Sequence, residues 1–315
     1  MEKTLVQNIG LLCTPLGSSV HAGEMQGQMG KTPEACVLME DGIITYAGSQ
    51  ADFPMEKAQG AQVIDAKGSL VTPGLIDAHT HLVFGGWRQH EIPLKLAGAG
   101  YLDILRMGGG ILSTVRHTRE ASEEELLQRS EGFLNEMLSM GVTSCEIKSG
   151  YGLDLGNELK QLRVIKKLQE THPMDIDATF LGAHAVPEEY KDDPDGFVDL
   201  LVEKILPAVA EEKLARCCDV FCETGAFDVP QSRKVLMAGK ALGLVPRIHA
   251  DEIDAIGGAE LSAEVGALSA EHLIASNEEG MQAMAKGGVI ADLLPATSFY
   301  LDKTFAPARR MVELG

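Results

Sequence analysis

Apolar and polar residues alternate through the first seventy positions, with no helical recurrence. The runs TLVQNIGLL, ACVLMEDGIITYAG and AQVIDAKGSLV therefore predict short strands, and Glu40-Asp41-Gly42 between two apolar stretches is a hairpin signal. Together they predict a small β-domain over residues 1–70, an antiparallel sheet or β-sandwich. From Val71 the pattern changes to strand-then-helix units. The strand candidates are VTPGLIDA, then VTSCEIKSGYG (142–152), IDATFLGAHA (176–185), CDVFCETGAF (218–227), VPRIHADE (245–252), ALSAEHL (267–273) and GVIADLLP (288–295). Between them lie amphipathic stretches. One begins at Ser122, where Ser122 and Glu125 form a capping box, and Gly141 closes it. Another covers 157–171, with Leu159, Leu162, Ile165 and Leu168 on one face. Residues 197–214 read as a helix broken or kinked at Pro207, 230–242 as the next, and a further helix is capped by Ser276 with Glu279. KTFAPARRMVEL is the last.

Strands alternating with helices imply a parallel sheet with helical crossovers. This many units favours an α/β fold of the TIM-type (β/α) barrel kind over residues 71–315. Such a barrel has eight strands and this chain supplies seven. The expectation is a sequence that stops before the last strand.

Composition narrows the class. Hydrophobic content of 45% and charged content of 23% suit a globular protein. A formal charge of −19 argues against nucleic acid or an anionic membrane surface as partner, since both select a basic footprint. The six cysteines have no CxxC spacing and no secretory leader precedes them, which predicts reduced thiols and a cytoplasmic protein. Cys218 and Cys222 lie in an apolar run and read as packing residues, not soft metal ligands.

In a (β/α) barrel the functional side chains sit at the carboxyl ends of the strands, and five of the nine histidines fall there. His79 and His81 end the first strand; as i and i+2 they aim two imidazoles to one side. Tyr151 lies just past the second strand, His184 ends the third and Glu223 lies late in the fourth. His249, followed by Asp251 and Glu252, ends the fifth, and His272 ends the sixth. The remaining histidines, His21, His90, His117 and His172, are assigned to loops or helices and given no chemistry.

Three imidazoles with one carboxylate suit zinc or iron with one position open to water. Such an ion lowers the pKa of bound water toward about 7. His79, His81 and His249 are the expected metal ligands. Glu252 and His272 are the expected proton-transfer residues, since an acid and a base are both needed when a C–N bond is hydrolysed. Arg88, in the turn after the histidine pair, can hold a carboxylate in a bidentate fork; the same residue also suits an exposed position. Lys148 reads as a salt-bridged or solvent-facing lysine in preference to a carbamylated bridge between two metals. Gly108-Gly109-Gly110 lacks the Lys-Ser/Thr of a phosphate loop and reads as a flexible turn.

With these residues laid out, the chain resembles the imidazolonepropionases of the amidohydrolase superfamily. The segments that carry the likeness are PGLIDAHTHLVFGGWRQHE (73–91), GGGILSTVRHTREAS (108–122), EIKSGYGLD (146–154), TFLGAHAVP (179–187), HADEI (249–253) and SAEHL (269–273). The resemblance implies hydrolysis of 4-imidazolone-5-propanoate to N-formimidoyl-L-glutamate in histidine catabolism, one zinc or iron ion per subunit and a homodimer. It further implies that Arg88 grips the propionate and that Tyr151, His184 and Glu252 contact the substrate. Family members continue through a final strand ending in a T-D-x-N-P-G segment, which supplies an aspartate to the metal and is followed by strands that complete the small domain. Two other readings accompany this one: another amidohydrolase, such as a deaminase of a purine-like ring, or a metal-binding remnant without turnover.

Overall fold

A computed structural model describes residues 2–98, 107 and 109–315. Contacts divide the chain into two units, residues 1–74, which Gly315 joins, and residues 75–314.

In the first unit five strands form one mixed sheet: β1 (Lys3–Thr14), β2 (Gly30–Glu40), β3 (Ile43–Ser49), β4 (Gln62–Asp65) and β5 (Leu70–Val71). The order is β3-β2-β1-β4, with β5 also on β1. The β1–β2 and β2–β3 pairs are antiparallel, as the hairpin signal requires, and Asp41 and Gly42 supply its left-handed backbone. β4 and β5 instead run parallel to β1. The expected antiparallel sheet or sandwich is thus, among the described residues, a single sheet with two parallel pairings. Alternation along β2 puts Cys36 and Leu38 in one small core with Leu5 and Phe53, and Ala35 and Val37 in another with Ile9 and Leu12, the register shift between Val6 and Ile9 carrying β1 from one to the other.

The second unit contains β6 (Leu75–Asp77), β7 (Val142–Lys148), β8 (Asp175–Ala183), β9 (Cys217–Cys222), β10 (Val245–Ala250), β11 (Ser269–His272) and β12 (Ile290–Asp292). They pair in sequence order, β12-β11-β10-β9-β8-β7-β6, every pair parallel. Seven parallel strands with helical crossovers are the α/β arrangement the alternation implied. The first strand is shorter than expected. Pro73 lacks a ladder donor; Val71 pairs in the other sheet, and β6 keeps three residues.

Alternation within these strands sorts side chains by chemistry. Cys145, Ile147, Ala178, Phe180, Cys218, Val220, Ile248 and Ala250 belong to the large apolar cluster. The helix Leu155–Thr171 meets it with buried Leu159, Leu162, Ile165 and Leu168, as its period predicts. The residues between them on the strands, Glu146, Lys148, Asp219, Arg247, His249 and Glu271, take the opposite side of the sheet and are buried as well.

Capping follows the local sequence with one exception. Ser122 and Glu125 make the capping box of the helix Glu123–Ser139, and Gly141 leaves it at φ +93°. Asp228 and Gln231 make another at Val229–Ala241. At Glu278–Gly287 the cap is Asn277, not Ser276. The Ser276 hydroxyl is engaged elsewhere, donating to Asp251 Oδ2 at 2.8 Å. Around Pro207 the helix is interrupted by a π turn, Leu201–Ile205, with the Leu206 amide bonded to Leu201 O. This wider turn comes just ahead of a residue with no amide hydrogen to give. No described helix is long and apolar enough to cross a membrane.

Replacing Ser122 by alanine removes the hydroxyl that accepts from the Glu125 amide and leaves only the backbone half of the capping box. Chemical denaturation of Ser122→Ala is expected to show a loss of about 1 kcal/mol, with the midpoint lowered and the slope unchanged.

Candidate metal centre and active site

His79 and His81 lie just beyond β6 on irregular backbone, not on the strand itself. Asp77 Oδ1 accepts from the His79 amide at 3.3 Å. Thr80 between them is tied to β7, its hydroxyl donating to Glu146 O at 2.7 Å and its carbonyl accepting from the Lys148 amide at 2.9 Å. Both imidazoles therefore point the same way with little freedom. His249 arrives from β10, four strand positions away in the sheet.

His79 Nε2 is 3.2 Å from His81 Nε2, and His81 Nε2 is 3.2 Å from His249 Nε2. Two nitrogens bound to one tetrahedral zinc at 2.0–2.1 Å would be about 3.3 Å apart. A single nitrogen, His81 Nε2, faces two others, and one proton cannot satisfy both contacts. A shared cation resolves the crowding. The donor set thus fits a divalent ion held by imidazoles. Among the described residues four overlapping donor groups lie within 4.8 Å: His79–His249–His272, His81–His184–His249, His79–Glu271–Asp292 and Asp219–His249–Glu271. His249 is shared by three of them, which makes it the hub.

Burial prepares these rings. It pushes the His79 and His81 pKa values well below their usual range, helped by the Lys148 charge at His79 and by His184 at His81. His272 is lowered in the same way, by burial and then by His249. Neutral rings at pH 7 have lone pairs ready for a metal.

Beneath the rings lies a buried ionic layer. Lys148 Nζ is 2.8 Å from Glu146 Oε1 and 2.8 Å from Asp219 Oδ2. Asp219 Oδ2 is 2.9 Å from His249 Nδ1, the arrangement that fixes a ligating histidine's tautomer and ring plane. Arg247 donates to Ala78 O at 3.1 Å and lies 3.5 Å from Glu146 Oε1. Burial opposes the Lys148 charge, yet Asp219, Glu271 and Glu146 hold its pKa above the usual value. Burial alone would raise Asp219, but His249 and Lys148 hold it below the carboxylate range. Glu271 is pushed up to about 8, first by burial, and Ser269 donates to it at 2.6 Å. Lys148 is accordingly salt-bridged, as the sequence suggested, and fully enclosed.

The other predicted residues gather around the rings. His184 stacks on His81 with centroids 4.8 Å apart, and Tyr151 lies 5.3 Å from His184 and 5.8 Å from His81. His184 Nδ1 donates to Gly150 O at 3.1 Å, and burial followed by the His249 charge lowers its pKa to about 3. Tyr151 is held from below: its amide donates to Gln161 Oε1 at 3.0 Å, while Glu158 accepts from Gly152 and Leu153. Arg88 opens the short turn Gln89–Glu91, and its charge reaches His184. Glu252 Oε1 is 3.7 Å from His272 Nδ1, and burial, then the Glu223 charge, pushes Glu252 up to about 7. The backbone turns sharply where these groups leave the sheet, for Asp251, His272 and Leu273 have φ of +50°, +72° and +55°.

One expectation holds and one changes. Cys218 and Cys222 are buried free thiols whose pKa values burial raises, Cys222 to about 11, which suits packing. Gly110 opens the helix Ile111–Glu120 and its amide donates to Glu91 Oε1 at 2.6 Å, so this part of the glycine run is a helix entry; Gly108 lies outside the described residues. Sequence reasoning missed Asp219, Glu271 and Asp292. The available signal was a lone acid in an apolar strand run, CCDVFC, which a fully buried strand tolerates only with a partner.

The amidohydrolase family profile matches residues 62–99. Guanine deaminase from E. coli superposes with a TM-score of 0.68 at 11% identity, covering 100% of this chain and 72% of that one. That likeness concerns the fold alone, and the profile match is confined to the segment that contains the first histidine pair. Imidazolonepropionase of Alkaliphilus metalliredigens is 51% identical across 100% of this chain and 75% of its own length. That of Geobacillus kaustophilus is 49% identical across 100% and 76%. The chain, which spans about three quarters of these relatives, belongs to the imidazolonepropionase family.

Lys148→Met removes the nearest cation from both Glu146 and Asp219 and leaves Arg247 and His249 as their remaining partners. Urea unfolding should show a loss of about 3–5 kcal/mol, as for other broken buried ion pairs. In metal-stripped protein the His184 ring is expected to stay neutral through pH 5 and to titrate only near pH 3, whereas a free histidine is half protonated at about 6.5. Imidazole nitrogen chemical shifts followed against pH read this directly.

Proposed function

We propose that this chain is an imidazolonepropionase that opens the ring of 4-imidazolone-5-propanoate to N-formimidoyl-L-glutamate, a step of histidine breakdown. The observation that supports this most is the His81 imidazole nitrogen 3.2 Å from those of both His79 and His249, with a carboxyl–imidazole pair beside it, in a chain about half identical to named relatives. His79, His81 and His249 would hold one zinc or iron ion per subunit, which supplies a Lewis acid for the ring carbonyl and for water.

The chain's own residues then do the rest. Arg88 forks the propionate carboxylate. Tyr151 and His184 flank the imidazolone ring and fix its plane. Glu252 and His272 exchange protons: one is taken from the attacking water and one is delivered to the ring nitrogen as its bond to carbon breaks. A Glu252 pKa of about 7 suits this task, because such a group gives and takes a proton with nearly equal ease near neutrality. Six free cysteines suit a reducing compartment, so we also assign the chain to the cytoplasm; the homodimer and the absence of nucleic-acid or membrane partners follow the family likeness and the charge of −19.

The test is ring opening, followed by loss of the imidazolone chromophore together with product release. Turnover dependent on added zinc or iron is expected, and ammonia release from guanine is not. The reverse result would favour the deaminase reading. Glu252→Gln should abolish the pH-rate limb with a midpoint near 7. Arg88→Lys should raise KM about tenfold or more, with a smaller change in kcat, since one charge-assisted bond of the fork is lost.

A further inference from the structure

Glu223 stands immediately after β9 and is 2% exposed. Among the described residues no lysine, arginine or histidine is ion-paired with it. Its carboxylate is instead saturated by backbone. Oε2 accepts from the Ile253 amide at 2.8 Å, and Oε1 accepts from the Asp254 amide at 3.2 Å and the Thr224 amide at 2.7 Å. Ile253 and Asp254 are the two residues that follow Glu252.

The segment they belong to has left the sheet. β10 ends at Ala250, and Asp251 turns the chain through a left-handed backbone at φ +50°. Past that point no ladder bond fixes the chain. On one side of Glu252 the anchor is Asp251, whose carbonyl accepts from the Ala275 amide at 2.7 Å and whose side chain accepts from Ser276. On the other side the anchor is Glu223. Glu252 is therefore suspended between two fixed points, one reaching to the turn after β11 and one to the end of β9. A buried carboxylate with only amide partners is a rigid staple: each bond is charge-assisted, and releasing any amide strands an unmet group. Glu223 also carries its charge beside Glu252 and so favours the protonated form of that neighbour.

We propose that Glu223 is the positioning residue of Glu252: it clamps the amides of Ile253 and Asp254 and thereby fixes the backbone that presents the Glu252 carboxyl to His272 and the imidazole cluster. This rests on the reading of Glu252 as a proton-transfer residue. Glu223 touches no reacting atom; it acts through the loop.

Glu223→Gln retains one acceptor oxygen and turns an amide group toward a backbone N–H, so at least one of the clamped amides loses its partner. Two measurements on the full chain decide the matter. Hydrogen exchange should be at least tenfold faster at Ile253 or Asp254, while Ile248 within β10 is unchanged. In the ring-opening assay the variant should lose about 10- to 100-fold in kcat with metal content unaltered. Combined with Glu252→Gln, it should add less than about threefold to the loss already caused, because a residue that works only through Glu252 has nothing left to position. Unchanged exchange, or losses that multiply in the double variant, overturns the clamp. If the glutamine variant loosens β10 as well, Glu223→Asp, which keeps both oxygens one methylene short, takes its place in both measurements. A wild-type chain that fails to open the ring overturns the proposed reaction instead, and the exchange result still decides whether Glu223 holds the loop.

Discussion

Four strand-to-strand steps separate β6 from β10, which in a flat sheet would be about 19 Å. Yet the imidazole nitrogens carried just past β6 and on β10 lie 3.2 Å apart, and Arg247 of β10 bonds to the carbonyl of Ala78. Only a sheet curled until its distant members face one another allows this. The curl is the constraint on which the site depends. It closes the interior, so the groups on that side are buried whatever their polarity, and each must find a partner there or lose its charge. The ionic layer and the neutral histidines are two answers to one condition. Lys148 and Arg247 find carboxylates; the rings shed their protons.

The layer also explains why the ligands stand where they do. Asp219 lies between Lys148 and His249, so the charge that neutralises the lysine also orients the imidazole. Thr80 serves in the same way from the other end, lashing the loop between His79 and His81 to β7. The loops beyond the rim have no ladder to hold them and are stapled by buried glutamates: Glu91 to Gly110, Glu158 to Gly152 and Leu153, Glu223 to Ile253 and Asp254. A carboxylate reaches two or more amides at once, which a neutral side chain of similar size does less well.

Much of this could be read from the residues. Short, largely apolar runs alternating with 3.6-residue runs gave the seven parallel strands and most helices, because strands of a sheet covered on both faces are buried along most of their length. Histidines at strand ends pointed to the rings that do meet. Less legible was the opening strand, where Pro73 splits one apolar run between two sheets. The cap at Asn277 was hidden because Ser276 was an equally good candidate until its hydroxyl was seen on Asp251. The ionic layer escaped because a single acid or base within a strand looks the same whether it faces water or a closed interior. Partners that are distant in sequence, such as Lys148 and Asp219, carry no spacing rule.

Three non-glycine residues with left-handed backbone, Asp251, His272 and Leu273, stand at the ends of two neighbouring strands. Conformations of this kind cost on the order of 1–3 kcal/mol each, and the packed body of the second unit must carry that load. Glycine at Leu273 would relieve the backbone but empty a fully buried place in the apolar cluster, and losing such a side chain costs about 2–5 kcal/mol, more than the strain it relieves. The tension at this corner therefore has no cheap exit: the residue best able to unbend the main chain is the one that would hollow out the floor beneath it.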